Sequence, residues 1–203
     1  REQMDQLLAG ATQHGILAEA SPYPDVSLRE LEALWARRDP PPLMLLLDHL
    51  QDPQNVATLL RTAEALGVDG VVIPAHRAAG ITPAVVNASA GAVEHLRIAR
   101  ETNLVRAMRA LQAAGLWLVG LEQAPGAKLY VRADLTGPLG LVVGSEGEGM
   151  SRLGREACDF LVYLPRAGQV NSLTAAAAGS IALYEVWRQR AGLSRSEQGR
   201  GGT

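Results

Sequence analysis

The sequence predicts an α/β fold in which a mainly parallel sheet has helices on both faces. From residue 43 onward, short apolar runs alternate with stretches of helical periodicity, which is the order that β-α-β units produce. Most of these runs are continuously apolar, as expected for strands buried on both faces of a parallel sheet. Glycine-rich and polar segments follow several of them, at the strand ends where open α/β sheets bind ligands. We therefore expect one such domain over residues 43–192.

The strands and helices of this domain can be placed in order along the chain. A first helix, Gln54 to Leu66, has an apolar side and stops at Gly67. Asn103 can cap a second helix, which ends near Gly115. An alanine-rich helix, Ser172 to Ala191, closes the domain. The predicted strands are the apolar runs Leu43 to Leu47, Val71 to Ile73, Leu96 to Ile98, Trp117 to Leu121, Leu141 to Val143 and Phe160 to Leu164.

The segments outside this domain differ from it in composition. Residues 1–36 contain a short amphipathic start, an extended stretch HGILAEASPY and a helical stretch SLRELEALW. Residues 37–42, RRDPPP, favour a stiff linker because consecutive prolines fit neither a helix nor a strand. Residues 193–203 are polar and glycine-rich, which predicts a disordered tail. Since the chain starts at Arg1 rather than methionine, we expect further residues before it.

Composition narrows the classes of function. The single Cys158 excludes an internal disulfide and fits a reducing cytosol, which predicts a cytoplasmic protein. No apolar run approaches the roughly 20 residues of a membrane-spanning helix, so no membrane partner is expected. The histidines lack metal-ligand spacing and one cysteine cannot build a zinc site, so we predict no metal. A net charge of -2 and a single phenylalanine argue against a protein that coats nucleic acid through bulk charge or aromatic stacking.

Two polar residues of the first helix are candidate site residues. Asn55 follows an Asp-Pro turn at the start of the helix, and its alternative role is that of a helix cap. Arg61 shares a face with Gln54 and Thr58 that points away from the apolar side. It is either a solvated arginine or, at the ligand edge of the sheet, a clamp for a phosphate or carboxylate.

Two loops at predicted strand ends are the other candidates. Residues 144–149, GSEGEG, carry glycines at alternate positions, which permit positive φ and close approach of the backbone to a ligand. This loop lacks the features of a P-loop and of the GxGxxG dinucleotide fingerprint. Leu164 to Thr174 leads into the alanine-rich helix, where Asn171 or Ser172 is expected to be the N-cap. Asp48-His49 could form half of a catalytic triad, but no GxSxG motif accompanies it, so a packing role for His49 is preferred.

Three stretches together resemble a known family. LDHLQDPQNVATLLRTAEALG (Leu47 to Gly67), VVGSEGEGM (Val142 to Met150) and LPRAGQVNSLTAAAAGSIALYE (Leu164 to Glu185) resemble, in order and content, the three motifs of the SpoU (TrmH-type) RNA ribose 2′-O-methyltransferases. ASAGAVEHL (Ala88 to Leu96) resembles the stretch between the first two motifs. The resemblance implies a C-terminal trefoil knot, a homodimer with the active site near the interface, and S-adenosylmethionine as the methyl donor. It implies RNA as substrate, with ribosomal RNA ahead of transfer RNA, and no DNA.

The same resemblance implies roles for individual residues. Arg61 matches the arginine tied to deprotonation of the target hydroxyl. A guanidinium is a poor base, so we expect Arg61 to hold the target phosphate and stabilise developing negative charge. Asn55 and Glu146 are expected to orient Arg61 and the loops, and Ser172 to contact the cofactor or substrate. The residues implied to line the cofactor, mostly through backbone groups, are Leu121, Gly144, Leu164 and Leu173.

One departure from the family pattern leaves alternatives open. The third motif usually continues Ser-Leu-Asn, whereas this chain has Thr174 after Ser172-Leu173. A non-catalytic RNA-binding homologue of the same fold is therefore an alternative, as is a transfer RNA methyltransferase. An unrelated α/β enzyme such as an oxidoreductase is disfavoured by the missing GxGxxG motif. Residues 1–36 resemble the end of an RNA substrate-binding domain found in front of family members that methylate guanosine in 23S rRNA.

Overall fold

The structure, a computed structural model, describes residues 21–35, 40–168 and 173–192. Within these residues the strands form one sheet in the order β3-β2-β1-β6-β4-β7-β5, and every paired strand is parallel to its neighbour. This confirms the predicted fold class. The strands are β1 (Leu43–Asp48), β2 (Gly70–Pro74), β3 (Ile98–Glu101), β4 (Trp117–Leu121), β5 (Lys128–Leu129), β6 (Leu139–Gly144) and β7 (Phe160–Tyr163).

Helices cover both faces of the sheet, also as predicted. Because successive side chains of a strand point to opposite faces, Leu45 and Leu47 of β1 pack with one set of helices, whereas Met44 and Leu46 pack with the other. The first face carries α2 (Pro53–Ala65), α3 (Pro83–Ala88) and α6 (Ala175–Arg190); the second carries α1 (Leu28–Trp35), α4 (Leu104–Ala113) and α5 (Arg152–Ala157). Among the described residues, no helix combines the length and apolarity that crossing a membrane requires.

Local contacts shift several predicted boundaries. β3 starts at Ile98 rather than at Leu96, because Leu96 ends a short 3-10 turn (Ala92–His95) and its carbonyl accepts a bond from the Tyr23 hydroxyl at 2.5 Å. The last helix, α6, starts at Ala175 rather than at Ser172. The short elements α3, α5 and β5 were not predicted, because six residues or fewer show no periodicity.

The segment before the sheet packs directly on it. Val26 forms a parallel bridge with Ala99 of β3, and Leu31 of α1 is fully buried in the core. At the described end of the predicted linker, the Arg190 guanidinium donates to the carbonyls of Pro41 and Pro42 at 2.6 and 3.1 Å. Residues 40–42 are therefore tied to the domain. Residues 1–20, the start of the linker and the predicted tail lie outside the described residues, and the domain division and the knot stay predictions.

Candidate active site at the carboxyl ends of the strands

The carboxyl ends of the central strands meet at one edge of the sheet. Gly144, the last residue of β6, is in register with Asp48 of β1. On the other side of β6, Leu121 ends β4 in register with Val143. Leu164 directly follows β7, which pairs with β4. Parallel pairing therefore brings residues from three distant segments to the edge where α/β sheets bind ligands.

Two adjoining cavities open at this edge. They have volumes of about 430 Å³ and about 180 Å³ and share Leu121, Leu173 and Ala178 as lining residues. Gly144 lines the larger cavity and Leu164 the smaller. The structure thus brings together all four residues that the sequence predicted for cofactor binding. The combination of apolar side chains with a glycine-rich backbone suits a ligand that has both an apolar and a hydrogen-bonding part.

The glycine-rich loop after β6 forms one wall of the larger cavity. Ser145 and Gly149 form an antiparallel bridge with two backbone hydrogen bonds of 3.0 Å. Gly147 and Gly149 have φ of 84° and 72°, as the sequence predicted for this loop. Gly144 is required for a different reason, since a Cβ there would lie 2.3 Å from backbone atoms of Gly149 and Met150. Glu146 is exposed near the tip of the loop and lines the larger cavity.

Residues that the sequence reasoning missed hold the base of this loop. The Glu122 carboxylate accepts the Met150 N–H at 3.2 Å and pairs with Arg155 at 2.6 Å. Beside it, the Arg166 guanidinium donates to Gln123 at 2.6 Å. Glu122, Gln123 and Arg166 line the smaller cavity. Their position directly after β4 and β7 was the available signal, because it places them at the ligand edge of the sheet.

Asn55 is not the cap of α2, so that alternative reading was wrong. Asp52 is the N-cap, with its carboxylate accepting the Gln54 N–H at 3.0 Å, and Pro53 occupies the first helical position. The Asn55 amide instead donates to the second Asp52 oxygen at 2.7 Å. Six positions separate Asn55 from Arg61, or about 9 Å along the helix axis and about 120° around it. The structure accordingly shows no bond between them among the described residues.

Arg61 lies exposed on α2, close to where this helix crosses α6. Thr62 and Ser180 are joined by a hydroxyl hydrogen bond of 2.9 Å, and a Cβ on Gly179 would meet Leu59 at 2.5 Å. The crossing therefore lies within two residues of Ala178, which lines both cavities. Arg61 itself lines neither of them, and within the described parts of the chain its guanidinium has no hydrogen-bond or ion-pair partner.

The residue that departs from the family pattern, Thr174, lies at the start of α6. Thr174 is the N-cap, and its hydroxyl accepts the Ala177 N–H at 3.1 Å. The expectation that Asn171 or Ser172 caps this helix is therefore wrong. Threonine and asparagine are both good N-cap residues. Either side chain can accept a backbone N–H from the first turn of α6. Ser172 lies outside the described residues.

Other reactive side chains near the edge are structural or neutral. Burial raises the pKa of the Cys158 thiol to about 12, so it stays protonated at neutral pH and is a poor nucleophile. Asp48 is buried, with one oxygen in contact with His49 Nδ1 and the other accepting the Ser151 N–H at 2.7 Å. Within the described residues, no group of three or more histidine, cysteine or acidic side chains could hold a metal ion.

Comparison with known proteins agrees with this geometry. The SpoU rRNA methylase family matches residues 42–184. A putative TrmH family tRNA/rRNA methyltransferase, YacO of Bacillus subtilis, is 43% identical over 94% of this chain and 76% of its own length. The 23S rRNA (guanosine-2′-O-)-methyltransferase RlmB of Pseudomonas putida is 44% identical, with the same two coverages. The crystal structure of the SpoU methyltransferase AviRb from Streptomyces viridochromogenes, in complex with AdoMet, has a TM-score of 0.69 and 31% identity.

The structural match covers 79% of this chain and 64% of the AviRb chain, so this chain spans less than two thirds of that protein. The matches define the class: the chain belongs to the SpoU rRNA methylase family. The family predicted from the three motifs is confirmed, and with it the class of enzyme, a methyltransferase that uses S-adenosylmethionine.

Proposed function

We propose that this chain transfers a methyl group from S-adenosylmethionine to a ribose 2′-hydroxyl of RNA, with large-subunit ribosomal RNA as the substrate class. The observation that carries the proposal is that two adjoining cavities are lined by Leu121, Gly144, Leu164 and Leu173. Further support comes from the Pseudomonas putida relative, whose name states this reaction on 23S rRNA.

The residues present at the cavities fit the proposed methyl donor. Backbone groups of the loop after Gly144 can approach a ligand closely because no Cβ intervenes there. Leu121 and Leu173 surround the shared part of the cavities with apolar surface. When bound, S-adenosylmethionine supplies a methyl group on a cationic sulfur, which an apolar wall solvates poorly. These residues would hold the donor and keep water away from the methyl group.

Arg61 is the residue to which we assign transition-state stabilisation. Its guanidinium has no partner among the described residues, so its donors are available for a phosphate of the RNA and for charge that develops on the attacking oxygen. Asn55, held by Asp52, fixes the first turn of the same helix and with it the loop before it. Glu146 at the loop tip and Ser172 before α6 would contact the substrate or cofactor side of the pocket.

A second copy of the chain fits the exposed face of α6. Ile181, Tyr184 and Trp187 are exposed at intervals of three along this helix, and the rings of the last two lie 5.4 Å apart. An apolar stripe of this kind is expected to be covered. Arg61 precedes Thr62, which bonds to Ser180 of α6, so a homodimer through this face would place the catalytic arginine near the interface.

The rest of the assignment follows from the same proposal. Residues 1–36 would be the end of a front domain for RNA recognition, followed by the linker 37–42, and the catalytic domain would carry the knot. The protein would act in the cytoplasm on RNA, without a DNA or membrane partner. A transfer RNA substrate is the alternative within the same reaction. A non-catalytic homologue lacks specific support, because Thr174 caps α6 as asparagine can.

Calorimetric titration tests the assigned cofactor site. S-adenosylhomocysteine should bind saturably to the wild-type chain, whereas NAD should not bind. Leu173→Asp places a carboxylate in the wall shared by both cavities and should weaken binding strongly. Leu153→Asp, a matched change of an exposed leucine outside both cavities, should not. Equal binding by the two variants would contradict the assignment.

A further inference from the structure

A separate crevice lies at the carboxyl ends of β1, β2 and β3, on the far side of β1 from the cofactor cavities. It has a volume of about 780 Å³ and is lined, among others, by Asp48 at the end of β1, Pro74 at the end of β2 and Asn103 after β3. We refer to it as the basic crevice, because its lining includes the cationic or titratable side chains His49, His76, Arg77 and Arg152.

The charge that this crevice presents to solvent is positive. Among the described residues that line the crevice, the one carboxylate is Asp48. It is 1% exposed, and its two oxygens are engaged by His49 Nδ1 and the Ser151 N–H. Arg77 is exposed and has no partner among the described residues. Arg152 pairs with Glu156 at 2.7 Å, but both side chains are more than half exposed, and exposed pairs of this kind are weak. Both guanidinium groups are therefore available to an anion.

The backbone that carries two of these residues is in an unfavourable conformation. His49 and Arg77 have φ of 61° and 55°, and Ala90 is the other non-glycine residue with positive φ among those described. The left-handed region is costly for side chains with a Cβ, and such residues concentrate at functional sites. Because His49 and Arg77 line the same crevice, two of the strained residues are concentrated at one place on the sheet edge.

The basic crevice also adjoins the larger cofactor cavity at the strand ends. Asp48 lines the crevice and is in register with Gly144, which lines the larger cofactor cavity. Neighbouring strands of a sheet are about 4.8 Å apart, so lining residues of the two spaces lie on adjacent strand ends. The crevice is also lined by residues of α4 and α5 on one face, and the larger cavity by residues of α6 on the other. A chain of nucleotides held in the crevice could reach the cofactor cavity within a short distance.

From the charge, the strain and this adjacency, we propose that the basic crevice binds the ribose-phosphate backbone of the substrate RNA next to the nucleotide that is methylated. Arg77 and Arg152 would contact phosphate oxygens, which positions the strand without reading its sequence. The Asp48 carboxylate would hold the His49 ring in a fixed orientation toward the strand. The proposal rests on the proposed function, since it assigns the substrate contacts of that reaction.

The test measures the affinity of variants for a short fluorescent single-stranded RNA of mixed sequence, over a series of salt concentrations. Arg77→Gly suits the left-handed backbone and removes the guanidinium, whereas Arg152→Gln removes the second charge. Arg97→Gln is the matched control, because Arg97 is an exposed arginine that precedes β3 at the opposite end of the sheet. Titration with S-adenosylhomocysteine reports whether each variant keeps its folded cofactor site.

Each crevice variant should bind the RNA about five-fold or more weakly, and the slope of log affinity against log salt should fall by about 0.7 per lost phosphate contact. The control should match the wild type. If both crevice variants match the control while the wild type methylates RNA, the crevice proposal is wrong and the proposed function stands. If the wild type neither binds RNA nor transfers methyl groups to it, both proposals are overturned.

Discussion

The close approach between the end of β6 and the glycine-rich loop makes Gly144→Ala a specific test of the site. An alanine Cβ would lie 2.3 Å from the carbonyl carbon of Gly149 and from the nitrogen of Met150. Ordinary contacts of a Cβ begin at 3.4 Å, so the loop backbone has to retreat by about 1 Å, an overpacking change that cores tolerate poorly. The neighbours are backbone atoms, which cannot rotate away as a flexible side chain would.

The cost follows from the bonds that such a movement breaks. The loop is closed by two Ser145–Gly149 backbone hydrogen bonds of 3.0 Å, and its base by the Met150 N–H bond to Glu122 at 3.2 Å. Each is worth about 1 kcal/mol net, and overpacking adds about 1–3 kcal/mol. We therefore expect Gly144→Ala to lower the free energy of unfolding by about 4–6 kcal/mol, as measured by urea denaturation.

Binding should fall with stability, because the same loop forms a wall of the larger cavity. We expect the affinity for S-adenosylhomocysteine to drop by at least about ten-fold, which corresponds to about 1.4 kcal/mol. Gly137→Ala is the control, since a Cβ there meets nothing within 4 Å, and it should change both quantities by less than about 0.5 kcal/mol. If Gly144→Ala behaves like Gly137→Ala, the loop does not form a wall of the larger cavity.

Three further predictions concern other parts of the site. Thr174→Ala should cost about 1 kcal/mol through loss of the cap of α6, whereas Thr174→Asn should leave thermal stability within about 0.5 kcal/mol; equal losses would exclude the capping role. Arg61→Lys keeps the charge but loses the planar fork, so methyl transfer should slow by about ten-fold or more while S-adenosylhomocysteine binding is kept; full turnover would refute the bidentate role. In the folded protein the Cys158 thiol has a pKa of about 12, above its ordinary value of 9.0. The stability that the buried neutral thiol contributes is therefore complete below about pH 9 and is lost as pH rises toward 12. Cys158→Ala should therefore flatten the alkaline decline of the free energy of unfolding, and an unchanged decline would show that the thiol is not its source.

The large features of the fold were predictable because they depend on patterns that run through many residues. The first helix was predicted at Gln54 to Leu66 and lies at Pro53–Ala65, and each of the longer apolar runs became a strand. The short elements were missed because α3 and α5 span only six residues each. Helix caps were assigned two or three residues away from their true positions at Asp52 and Thr174, since other residues with good capping side chains lie within the same few positions.

The parts of the site that could not be predicted depend on contacts between distant segments. The bond between Asp48 and the Ser151 N–H joins residues that are 103 positions apart, and nothing in the local sequence indicates it. The left-handed conformation of His49 could not be predicted either. Histidine is enriched among residues with positive φ, but only a few per cent of non-glycine residues adopt that conformation. The four cofactor residues came from the resemblance to the SpoU family. The parallel register of β4, β6 and β7 explains why three of them, Leu121, Gly144 and Leu164, meet at one edge.

The chemical position of the transferred methyl group tests directly whether this chain methylates the ribose of RNA. The chain would be incubated with S-adenosylmethionine carrying a tritiated methyl group and with unmodified 23S rRNA, which would then be hydrolysed in alkali. Alkaline cleavage of RNA needs a free 2′-hydroxyl, so a methylated ribose protects the following phosphodiester bond. Methylation of a ribose 2′-hydroxyl predicts tritium in alkali-resistant dinucleotides. Tritium in ordinary mononucleotides, which indicates base methylation, or no incorporation by a folded chain that binds S-adenosylhomocysteine, would contradict it.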